Sequence, residues 1–83
     1  MRTRNVVLVT FDGVQGLDIF GPLDVFYFVN YLVDRDGGSS PAYVVELAAA
    51  RPGPVATAAG PAVHATAGVG DPELAPDLLL VPG

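Results

Sequence analysis

Val6-Val7-Leu8-Val9-Thr10-Phe11-Asp12-Gly13-Val14-Gln15-Gly16-Leu17-Asp18 is the stretch that decides the fold. Four consecutive apolar residues, three of them β-branched, suit a strand buried on both faces, the pattern of a parallel sheet. Phe11-Asp12-Gly13 breaks that run. An Asp-Gly pair can close a hairpin, but no alternating strand follows, so the break reads as a strand-to-helix loop. From about Leu17 to Val33 the period becomes helical: Ile19, Pro22, Leu23, Phe26, Val29 and Val33 share one side at about 100° per residue. Asp24, Asp34 and Arg35 fall opposite. Pro22 is expected in the first turn of that helix, or at a kink.

Outward from this core, Gly37-Gly38-Ser39-Ser40-Pro41 ends the helix, and Tyr43 to Ala48 is the second strand, its single charge Glu46 marking it as the more peripheral. Two short weak strands follow, Val55–Ala58 and Val63–Ala67, split by Gly60-Pro61. In the second, Val63, Ala65, Ala67 and Val69 alternate with polar or small residues, the period of a half-buried hairpin arm. Leu78-Leu79-Leu80-Val81 reads as a second fully buried run, stopped by Pro82-Gly83. The expected layout is strand, helix, strand, small hairpin, strand, with no internal repeat. That order argues for an α/β parallel sheet, which needs helices on both faces. A single long helix leaves one face bare, to be covered either by another chain or by a continuation of this one. The second is favoured, so residues 1–83 are expected to be the N-terminal portion of one larger α/β domain.

Composition narrows the function. The chain has 83 residues, 51% hydrophobic and 16% charged. This is not the composition of a disordered segment. Its one long uncharged stretch, Pro52 to Gly70, is too rich in Gly, Pro and Ala for a membrane span. Nine acids against four arginines and no lysine give a net charge of −5, the wrong sign for a nucleic-acid surface. Without cysteine the chain offers no disulfide, thiolate metal site or thiol nucleophile, and one histidine offers no multi-His site. No metal or cofactor is expected. The short apolar run after the basic start is no signal-peptide core, so the expected location is the cytoplasm.

Gly13-Val14-Gln15-Gly16 lies at a helix N-terminus, where phosphates can bind, but neither the dinucleotide nor the phosphate-loop pattern is present. The glycines are expected to serve a tight turn. Asp18 stands where the first strand hands over to the helix, and its residue type leaves two roles open. One is helix N-cap. The other is an acid/base carboxyl above the sheet edge, its pKa raised by an apolar rim of Leu17, Ile19 and Phe20. Asp12 is read as a turn residue and His64 as a surface histidine. Tyr27, Phe28 and Tyr31 lie among charges on the outer side of the helix, and two readings stay open: contact with a second subunit or domain, or large side chains leaning onto a neighbouring loop.

The string from Val7 to Phe26, with Leu17-Asp18-x-x-Gly21-Pro22-x-x-Val25-Phe26 at its centre, resembles the opening of the ThiJ/PfpI superfamily, the class I glutamine-amidotransferase-like, flavodoxin-like fold. Ala58-Ala59-Gly60 and Asp77-Leu-Leu-Leu-Val-Pro-Gly83 are similar to that family's small hairpin and next sheet strand. The resemblance implies a nucleophilic cysteine downstream, on a strand-to-helix elbow. It also implies a carboxyl at Asp18 sharing a proton with that sulfur and so favouring the thiolate. Gly83 would begin a turn whose N–H groups help form an oxyanion pocket, with Gly16 as a further binding position. Aspartate in place of the glutamate of many members, with Phe11-Asp-Gly-Val-Gln15, is most similar to sensor domains of AraC-type regulators and to isonitrile hydratase. The chain by itself, lacking the sulfur, is expected to turn nothing over. Its ligand is an unspecified small molecule, and its expected partner is a second copy packed through Tyr27, Phe28 and Tyr31.

Overall fold

The computed structural model describes residues 2–83. In chain order the elements are β1 (Arg4–Val9), α1 (Gly16–Arg35), β2 (Tyr43–Ala49), β3 (Gly53–Ala56), β4 (Ala62–Ala65), β5 (Ala67–Gly68) and β6 (Leu78–Leu80). A four-stranded parallel sheet has the order β5-β2-β1-β6, and β3 and β4 form a separate antiparallel hairpin. The class is therefore α/β with a parallel sheet, as the apolar run of β1 requires. The chain lays β2 on one side of β1 and β6 on the other, so the winding direction reverses at β1.

Register explains the core. Leu8 pairs with Leu47 and with Leu80, which puts the three on one face. Ile19 and Leu23 of α1 and Val55, Val63 and Ala65 of the hairpin close over them. The opposite face carries Val7, Ala48 and Ala67, covered by Leu74. Val6, Val7 and Leu8 are at most 3% exposed, so β1 is buried on both faces. The second face is bare elsewhere, with Val44 49% and Leu79 54% exposed.

That bareness corrects the reading of the last strand. Leu78, Leu79 and Val81 are exposed and only Leu80 packs on the core, because β6 lies at the sheet edge. No element covers Leu79 on the second face, and Leu78, on the same face as Leu80, is outside the core cluster. The arm expected over Val63–Ala67 is likewise two strands. The chain leaves the hairpin at Thr66, and Ala67–Gly68 joins the main sheet beside β2, so Val69 is exposed rather than inward.

The helix runs slightly beyond its expected bounds. Its end is a Schellman motif: Gly37, at φ 90°, donates its N–H to the Asp34 carbonyl, and Gly38 donates to Val33 at 2.9 Å. A Cβ on Gly38 would lie 2.5 Å from the Val33 side chain and 2.9 Å from its carbonyl, so this close approach demands glycine. Pro22 sits inside the helix, beyond the first turn that was one of its two expected places.

Asp77 fastens the start of β6 to β1. Its carboxylate accepts the Asn5 N–H at 2.7 Å and the Arg2 guanidinium at 3.1 and 3.3 Å, and its own N–H donates to the Asn5 carbonyl. The Asn5 N–H first, and the Arg2 guanidinium second, lower its pKa below the ordinary 3.8. Because the folded value is depressed, this stabilisation is complete above the unfolded pKa and is lost as pH falls through the folded one. Amide exchange of Leu78–Leu80 should therefore accelerate as pH drops from about 5 to about 2, once corrected for intrinsic rates. Asp77→Asn should abolish that acid step, and an unchanged step would remove Asp77 as its source.

Candidate functional site

The carboxyl ends of β1 and β2 meet the hairpin at one edge of the sheet, the place where open α/β sheets put their ligands. The β1–α1 loop is stitched to the hairpin there. Gly13 N–H donates to the Ala56 carbonyl at 2.8 Å, Ala58 N–H donates to the Val14 carbonyl at 2.8 Å, and Ala56 N–H donates to Asp12 Oδ1 at 3.2 Å. Val14 pairs with Thr57 as an isolated parallel bridge and is buried. Asp12 is thus more than a turn residue, because its carboxylate ties the β1–α1 loop to the end of β3. Gly13, at φ 88°, is the glycine the turn needs.

A cavity of about 560 Å³ opens at this edge, lined by Thr10, Phe11, Asp12, Arg51, Pro54 and Val55, with Ala49 and Ala50 as its floor. Thr10 is 2% exposed, and its hydroxyl has no hydrogen-bond partner among the described residues. A buried hydroxyl without a partner is costly. Asp12 and Arg51 line the cavity together with the apolar Phe11, Pro54 and Val55, which suits a small polar ligand rather than a greasy one. Sequence reading passed over Thr10 and Arg51. A lone threonine closing an apolar strand was the only available hint.

Of the residues singled out from sequence, Asp12 lines this cavity, whereas Asp18, Gly16 and Gly83 lie at the same edge but outside its lining. Asp18 is the third residue of α1 and half-buried. The N-cap is Gln15, without a side-chain cap bond, so the capping role considered for Asp18 does not hold. Among the described residues the Asp18 carboxylate accepts no hydrogen bond, whereas its N–H donates to the Gln15 carbonyl. The expected apolar rim is not closed: Ile19 is fully buried beneath α1, but Leu17 is 80% and Phe20 49% exposed. Gly16 opens the helix with free space where a Cβ would sit, so no close approach demands glycine. Gly83 is exposed, three residues past β6, and β6 adjoins β1, so it too belongs to this edge. His64 is exposed on β4. Tyr27, Phe28 and Tyr31 are 69%, 58% and 51% exposed on the outer side of α1. Among the described residues, no helix is long and apolar enough to cross a membrane.

In comparisons with known proteins, no family model matches the chain and no curated protein aligns with it significantly.

Thr10→Val keeps the shape and removes the orphan hydroxyl. It should raise unfolding stability by about 1 kcal/mol in chemical denaturation. A loss of similar size would mean that the hydroxyl has a partner in solution.

Proposed function

We propose that the chain is the N-terminal portion of a ThiJ/PfpI-like, flavodoxin-like ligand-sensing domain, of the kind that precedes the DNA-binding module in AraC-type transcriptional regulators. The observation that carries this reading is the mixed-charge cavity at the carboxyl edge. It is lined by Asp12 and Arg51 beside Phe11, Pro54 and Val55, a set of opposite charges and apolar walls that suits the binding of a small polar molecule. The β2-β1-β6 order supports it, being the order in which a flavodoxin-like sheet begins. The bare second face supports it as well, since an apolar sheet face of this kind is normally covered by further protein.

A second reading is favoured by Asp18. Its half-buried carboxylate, free of capping bonds at the sheet edge, suits an acid/base partner for a cysteine supplied from elsewhere, as in a cysteine-dependent enzyme resembling isonitrile hydratase. Gly83 would then begin the oxyanion turn, with Gly16 in the binding loop.

The coding sequence past the codon for Gly83 separates the two readings. A strand-to-helix cysteine followed by a basic helix-turn-helix segment supports the sensor, and the cysteine with no such segment supports the enzyme. Absence of the cysteine overturns both. In the longer protein, Asp18→Asn should raise the cysteine's pKa. Alkylation rates measured across pH would move to higher pH, and an unmoved profile rejects Asp18 as its partner.

The outer crest of α1, centred on Phe28 with Tyr27 and Tyr31 at its rim, is proposed to pair with a second copy. The Phe28 and Tyr31 rings stack at 6.2 Å and 10°, a flat apolar ridge suited to a self-complementary interface. Sedimentation should show a dimer that Phe28→Glu dissociates. A wild-type monomer at high concentration contradicts the pairing.

A further inference from the structure

At the opposite end of α1 from Asp18, a cleft of about 370 Å³ lies between the helix and the loop that follows it. Its polar and aromatic lining consists of Tyr27, Asn30, Tyr31, Asp34, Ser39 and Ser40. At about 100° per residue, Tyr27, Asn30, Tyr31 and Asp34 fall on one flank of the helix, between its buried stripe and its outer crest. Tyr27, Tyr31 and Asp34 therefore border one space.

The walls are fixed by backbone. Gly38 is pinned to Val33 by its 2.9 Å hydrogen bond and by the close approach that excludes any side chain there. Pro41 is held by its carbonyl, which accepts the Thr3 hydroxyl at 2.7 Å. Asn30 clamps Tyr43 from both sides, donating to its carbonyl at 2.8 Å and accepting its N–H at 2.9 Å. The Asn30 amide is thereby spent on structure. Asp34 makes no ion pair among the described residues, where the one salt bridge joins Arg2 to Asp77.

The chemistry of this cleft has one sign. No basic side chain lines it. Arg35, the next residue, is rotated by about 100° onto the outer crest. Asp34 supplies a full negative charge, and Asp36 follows at the helix C-cap. The last turn of a helix carries the negative end of its dipole, which favours a cation. Tyr27 and Tyr31 border the cleft, and although Phe28 stacks on one face of Tyr31 at 6.2 Å, aromatic rings beside a carboxylate suit an alkylated ammonium group. The net charge of −5 draws cations in from a distance.

We infer that the cleft bordered by Tyr27, Tyr31 and Asp34 binds a small organic ammonium ion. The alkylated nitrogen lies against the two rings and pairs with the Asp34 carboxylate, within reach of the Ser39 and Ser40 hydroxyls. This site is distinct from the cavity at the carboxyl edge and does not depend on the reading proposed for it. It shares Tyr27 and Tyr31 with the proposed pairing face, so the ammonium ion and a second copy compete for those two side chains.

Choline and its uncharged isostere dimethylbutanol are the probes, added to the 83-residue chain and followed by saturation-transfer NMR and calorimetry. Choline should bind saturably and the isostere at least fivefold more weakly, roughly the effect of removing a cation from an aromatic face. Asp34→Asn and Tyr31→Leu should each weaken choline by about five- to thirtyfold, whereas Tyr31→Phe should retain it. Circular dichroism of each variant checks that α1 is intact, and a loss confined to the variants with an intact helix supports the site. Equal binding of the two probes, no binding of choline, or an unchanged affinity in Asp34→Asn overturns it. Phosphatidylcholine vesicles form a second arm. Chain that sediments with them and is released by choline assigns the ammonium to a lipid headgroup, and chain that stays in solution assigns it to a free solute.

Discussion

The burial of β1 on both faces is the constraint from which the rest of the structure follows. Val6, Val7 and Leu8 are withdrawn from water together, and each such side chain contributes roughly 1.5–3 kcal/mol when fully buried. A strand can achieve this only with neighbours on both edges and cover on both faces. Parallel β2 and β6 supply the edges, α1 and the hairpin cover one face, and the segment around Leu74 covers the other at Val7. The two covers are unequal. One is a 20-residue helix reinforced by a hairpin, and the other is a short link, which leaves Val44 and Leu79 in solvent.

Much of this was legible in one dimension. The change of period from the run at Val6–Val9 to the stripe Ile19, Leu23, Phe26 and Val33 gave β1, α1 and their contact. The Gly-Gly-Ser-Ser-Pro cluster gave the helix end, though not that Gly38 is fixed by Val33. What could not be read was context. Leu78-Leu79-Leu80 carries the same apolar signal as β1, but whether such a run is covered depends on what lies beside it in space. The alternation through Val63, Ala65 and Ala67 continues across Thr66 because a hairpin and a sheet edge impose the same period of two. A change of partner strand in mid-pattern leaves no trace in that pattern.

The candidate site shows the same division. Position at the carboxyl edge was predictable from strand order and loop placement, which is why Asp18, Gly16 and Gly83 gather there. Composition of the cavity was not, because Arg51 and Val55 reach it from the loop after β2 and from the hairpin, segments distant in sequence from Thr10. The Asp12 carboxylate and the Val14–Thr57 bridge bring those segments together. They also make the edge a scaffold of paired backbone rather than a free loop, which is what a binding site needs to hold a ligand at low entropic cost.

The spacing of Asp18 and Pro22 carries a consequence for the first of these residues. A helical carbonyl accepts the N–H four residues on, and Pro22 has none, so the Asp18 carbonyl loses its helical partner. The N-cap residue Gln15 adds no side-chain bond. The first turn of α1 is therefore weakly held by its own hydrogen bonds. Its position comes instead from Ile19, fully buried against Leu8 and its neighbours, and from the loop sewn to the hairpin. A carboxylate that capped the helix would have its lone pairs occupied by N–H groups and would be a poor proton acceptor. Transferring the task of anchoring the turn from capping to packing leaves the Asp18 carboxylate uncommitted. That is the condition for it to meet either a ligand or a thiol at the sheet edge.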